Sequence, residues 1–93
     1  MANLVTWAGK IPVVPEASVA HLPDGVSGPA IERLAAFEAL AAGLRQEQER
    51  LSQELSELRL AGKQHSYQFR ERMAKKLTNS SMLTLLEQHG LAE

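Results

Sequence analysis

The 93-residue chain contains no cysteine, which excludes disulfides, cysteine nucleophiles and every zinc site built on thiolates. Aromatic residues number only four, and no long apolar run exists. The longest helical apolar stretch, Leu34 to Leu44, is eleven residues that include Glu38, well under the ~18 to 20 that a bilayer-spanning helix needs. No membrane association is therefore expected. Met1 to Trp7 carries no basic residue, and Lys10, Pro12 and Pro15 interrupt the apolar residues beyond it, so no signal peptide is read and the cytoplasm is the expected compartment.

Catalytic and cofactor signatures are missing as well. His21, His65 and His89 are too far apart in sequence for two of them to share a helix face, so no metal site is expected. Gly62-Lys63 looks like the end of a phosphate-binding loop, but Glu57 stands where the first glycine belongs and Gln64 where a magnesium-binding hydroxyl belongs. Glu47, Glu49, Glu54 and Glu57 read as a solvated helix face rather than paired catalytic carboxylates. No enzyme and no cofactor is expected.

What the chain does have is helix-forming material. Ala, Glu, Lys, Leu and Arg make up 47 of the 93 residues, about the half that marks long helices and coiled coils when a matching period accompanies it. The expected fold is all-α: a long amphipathic coiled-coil-like helix within a helical region over 29–93, preceded by an extended arm over 1–28. The arm holds three of the four prolines, and each pushes its predecessor out of the α region. Leu4, Val5, Trp7, Ile11, Val13 and Val14 are too apolar for a solvated tail, so the arm is expected to pack on its own helices or to take a protein partner.

Asp24-Gly25-Val26-Ser27-Gly28 is turn chemistry, and Pro29 suits a first helical position, so a helix should open there. Ala30, Phe37, Leu44, Leu51 and Leu58 then recur every seven residues. Leu34, Ala41, Gln48, Leu55 and Gly62 lie four residues after each, which is the spacing of a heptad seam. A helix with such a stripe needs a partner helix, because packing its apolar face supplies most of its stability. Self-association through Leu34, Phe37, Ala41, Leu44, Gln48, Leu51, Leu55 and Leu58 is expected, with a homodimer favoured. Gln48 is the polar interruption. Arg33 and Glu38, like Glu54 and Arg59, have the five-residue spacing that pairs flanking charges across a parallel two-stranded coil, while an antiparallel arrangement centred near Leu44 would bring Arg33 near Glu54 instead.

The next segment offers a second stripe, Phe69, Met73 and Leu77. Gly62 and Ser66 are suited to close one helix and cap the next, which favours an antiparallel hairpin over an unbroken rod. Asn79-Ser80-Ser81 reads as a stop before a short C-terminal helix from Met82 to His89. Lys63, Arg70, Arg72, Lys75 and Lys76 face only Glu71 within 61–78, a local excess of positive charge. These five could contact phosphate, which makes a nucleic-acid-associated role the alternative. They fall on different flanks of the wheel, and aliphatic stems covering an apolar seam explain them better.

Overall fold

The computed structural model describes residues 2–92. Two compact units succeed one another along the chain, Met1–Phe37 and Glu38–Glu93. Helix accounts for 63% of the described residues and strand for 13%, so the fold is mostly helical rather than all-α.

The expected extended arm is a pair of small β-hairpins. Strand β1 (Thr6–Ala8) pairs antiparallel with β2 (Ile11–Val13), with Trp7 opposite Pro12, across a Gly9-Lys10 turn. Three-residue strands bracketing a two-residue turn escape a pattern search, and Pro12 argues locally against a strand. Its lack of an N–H is tolerated because a two-stranded hairpin is all edge. A single 3₁₀ turn at Glu16–Ser18 leads into β3 (Ala20–Leu22), which pairs with β4 (Gly25–Ser27) across Pro23-Asp24. Gly28 closes the second hairpin at φ +108°. A Cβ there would lie 2.9 Å from Val19 Cα and 3.0 Å from the Ser18 carbonyl oxygen, so only glycine lets these backbones approach.

Helix α1 spans Pro29–Leu60, opening at the expected proline; the Glu32 N–H bonds the Gly28 carbonyl at 2.9 Å. It ends in a glycine-terminated motif. Gly62 adopts φ +72° and donates to the Arg59 carbonyl, while Lys63 N donates to the Leu58 carbonyl at 2.7 Å, which satisfies carbonyls that the helix end would otherwise leave unpaired. Ser66 then caps α2 (Tyr67–Gln88), its hydroxyl oxygen accepting from Phe69 N at 3.2 Å. The chain therefore turns back at Gly62, and the two helices pack together.

No separate C-terminal helix exists among the described residues. Asn79, Ser80 and Ser81 lie inside α2, because their side chains turn inward or back along the helix instead of capping a new one. The Asn79 amide bonds Glu47, and Ser81 Oγ donates to the Leu77 carbonyl at 3.2 Å. The terminal glycine ending is present at Gly90, where Leu91 N bonds the Leu86 carbonyl at 2.7 Å.

Candidate interaction surface

Among the described residues the buried apolar ones are Ala41, Leu44, Leu51 and Leu55, all from the heptad seam of α1. Leu51 and Leu55 are covered almost completely, at 2% and 1% exposure. Leu58 and Gln48, from the same seam, are half-buried. In the first unit, Leu34 is 50% exposed and Phe37 half-buried.

The covering face of α2 differs from the stripe expected for it. Residues 69, 72, 73, 76, 83 and 86 are half-buried and residue 79 is buried, which puts Phe69, Arg72, Met73, Lys76, Asn79, Leu83 and Leu86 toward α1; residue 73 apart, they follow an alternating three-four spacing. Phe69 and Met73 are half-buried, but Leu77 is 61% exposed and belongs to the outer surface. Polar residues won three inward positions for two reasons. Arg72 and Lys76 are half-buried residues with long aliphatic stems that suit a partly covered position, and Arg72 and Asn79 find partners on α1.

Those partners form a ladder across the hairpin. Asn79 Nδ2 donates to Glu47 Oε1 at 2.7 Å, and Lys75 Nζ lies 3.6 Å from Glu47 Oε2. Arg72 Nε donates to Glu54 Oε2 at 2.7 Å, while Arg50 holds Glu54 from the same helix at 2.9 Å. The Asn79 hydrogen bond, assisted by Lys75 and Arg50, holds the Glu47 carboxyl below its usual range against the opposing pull of desolvation. The Arg72 hydrogen bond, assisted by Arg50, does the same for Glu54. On the other flank Gln48 Nε2 donates to the Lys76 carbonyl at 3.0 Å and to Ser80 Oγ at 2.9 Å. That orientation is forced, since a carbonyl only accepts, and it leaves Gln48 Oε1 buried with no partner.

Of the five basic residues expected as phosphate contacts, Arg72 and Lys75 are held by Glu54 and Glu47. Lys63 and Arg70 are exposed and Lys76 is half-buried, so the five do not share one free patch. Sequence reasoning missed the interhelical role of Asn79, whose signal was its place on the three-four spacing with Arg72, Lys76, Leu83 and Leu86. Within the first unit an apolar groove of about 380 Å³ runs between β1 and the first turns of α1, lined chiefly by Leu4, Val5, Trp7, Val14, Leu34 and Phe37. The apolar arm residues are less covered than expected, with Trp7 67% and Ile11 65% exposed.

Among the described residues no group of three or more His, Asp or Glu side chains is placed to hold a metal ion. Among the described residues no helix is long and apolar enough to cross a membrane. No protein-family model matches the chain, and comparison with curated proteins and with solved structures yields no match.

Proposed function

We propose that the protein is a small non-catalytic helical interaction module whose partner includes a second copy of itself. The observation that carries this reading is the thinness of the core. Among the described residues four apolar side chains are buried, one of them an alanine, whereas Leu40, Leu60, Tyr67, Leu77 and Leu85 in the helices are between 47% and 90% exposed. The helical unit is only residues 38–93, and single cores of fewer than about 70 to 80 residues rarely supply more than a few kcal/mol, a shortfall that association with a second copy makes up. A chain with no cysteine lacks the disulfide staple.

Sedimentation equilibrium or light scattering over a hundredfold dilution tests the reading directly. A dimer mass and a melting temperature that rises with protein concentration are expected, since anything that binds the folded form alone stabilises it by mass action. A monomer mass with a concentration-independent melting temperature would remove self-association and leave the module without its proposed partner.

A further inference from the structure

Self-association, the reading on which this inference rests, leaves its geometry open. We propose that the hairpin is a closed form in which α2 masks the α1 seam, and that two copies associate by displacing α2 and pairing α1 with α1 in parallel and in register.

Three independent observations converge on this pairing. The first is the mismatch of the two faces inside the hairpin. α1 offers Leu44, Leu51, Leu55 and Leu58 on one heptad seam, whereas α2 answers with Arg72, Lys76 and Asn79 at three of its seven facing positions. A second α1 presents leucine to leucine in the same layers. Leucine recurs in the row of Leu44, Leu51 and Leu58, the row in which it suits two-stranded parallel coils.

The second observation is the orphaned acceptor. Gln48 Oε1 is buried without a partner in the hairpin, although Nε2 is doubly engaged. In a parallel in-register pair Gln48 meets its own counterpart across the two-fold axis. Each amide then donates to the other's carbonyl oxygen, and the buried acceptor is satisfied. An antiparallel pair does not place Gln48 opposite itself unless it is centred there.

The third is charge. In the parallel register Arg33 faces the partner's Glu38 and Glu54 faces the partner's Arg59 on both sides of the axis. The remaining flanking pairs, Leu40 with the partner's Arg45 and Glu47 with the partner's Ser52, bring no like charges together. Inside the hairpin Glu54 and Arg59 are otherwise engaged. Glu54 holds Arg72 and Arg50, and the Arg59 guanidinium sits 5.0 Å from the Phe69 ring centroid. Two pairing modes thus compete for one set of side chains.

Because α2 contacts α1 only in the closed form, substitutions in α2 shift association without touching the α1–α1 contact. Asn79→Leu adds apolar cover over the seam and is expected to weaken dimerisation about tenfold, since apparent affinity scales with the population of the competent form. Asn79→Asp sets a second carboxylate beside Glu47 and is expected to strengthen dimerisation by a similar factor. Helix content measured by circular dichroism establishes that each variant is folded, and if Asn79→Asp is not, Asn79→Leu decides alone.

The absence of native cysteine allows a direct register test. Oxidation of Leu51→Cys is expected to give a covalent dimer, whereas Glu49→Cys, on the outer face of α1, is not; Gln48→Cys substitutes should Leu51→Cys fail to fold. A monomer mass for the wild-type protein sinks self-association itself. A dimer mass with no Leu51→Cys cross-link and no response to Asn79→Leu leaves self-association standing and overturns the opened geometry in favour of contact through the outer face of α2.

Discussion

At the scale of single residues the sharpest tension is at Gln48. Its amide makes two hydrogen bonds across the hairpin, each contributing a net ~0.5 to 1.5 kcal/mol, while its buried unpaired oxygen costs ~1 to 3 kcal/mol. Ser80 is exposed and can turn its hydroxyl to water, and the Lys76 carbonyl sits within the helix ladder, so neither partner is stranded when the amide is removed. The two terms nearly cancel, so the apolar burial gained by a half-buried leucine decides, and Gln48→Leu is expected to stabilise the monomeric hairpin by about 1 kcal/mol, a rise of roughly 4 to 8 °C for a unit of this size. A fall in melting temperature, read by circular dichroism at low protein concentration, would mean that the two hydrogen bonds outweigh the orphaned acceptor. Leu51 is the opposite case, a side chain with nothing polar about it and 2% exposure. Leu51→Ala should cost about 2 to 5 kcal/mol, enough to unfold a hairpin with so little core.

At the scale of elements, Gly62 separates what was readable in the sequence from what was not. Its φ of +72° lies where an L side chain is disfavoured by roughly 1 to 2 kcal/mol, yet no atom of another residue would crowd a Cβ. Gly62→Ala should lower stability by about 1 kcal/mol through backbone strain alone; a rise would place Gly62 within a continuous helix. Gly28→Ala combines strain with collision against Val19 and Ser18 backbone and is expected to disrupt the second β-hairpin, seen as loss of the Ala20–Ser27 amide protection in hydrogen exchange. Local rules with one dominant cause were legible: Pro29 at the start of α1, Gly62 at its end, Ser66 at the start of α2, and the apolar face that buries Ala41, Leu44, Leu51 and Leu55 within the hairpin. Three features were not. β1 to β4 are three residues each, too short for alternation to register above noise. Asn79-Ser80-Ser81 carries capping chemistry, and only the facing Glu47 decides that Asn79 turns inward. Leu77 outranks Lys76 in hydrophobicity, but its 61% exposure against the half-burial of Lys76 shows packing geometry overriding side-chain preference.

At the scale of the whole molecule, a net charge of −1 conceals a directed arrangement in which acidic α1 residues face basic α2 residues across the hairpin. Glu47 and Glu54 have carboxyls held below the ordinary value of 4.5 by Asn79 and Arg72 respectively. A depressed carboxyl binds fewer protons in the folded than in the unfolded state, so its stabilisation is fully present above the unfolded value and is lost as pH falls through the lower folded one. The melting temperature should accordingly be level near neutrality and decline once pH drops below the mid-4 range. The size of the decline is set by how far these groups remain hydrated, since partly exposed ion pairs are screened. A Glu47→Gln/Glu54→Gln pair tests the assignment. Each glutamine keeps a carbonyl oxygen to accept from Asn79 or Arg72, so the ladder persists in neutral form while its titration is abolished. Melts from pH 7 to pH 3 at fixed protein concentration should then show a flatter curve for the double variant, converging with wild type at the acid end. Parallel curves would assign the acid sensitivity to other carboxylates, and the charge ladder would be a consequence of helix pairing rather than one of its causes.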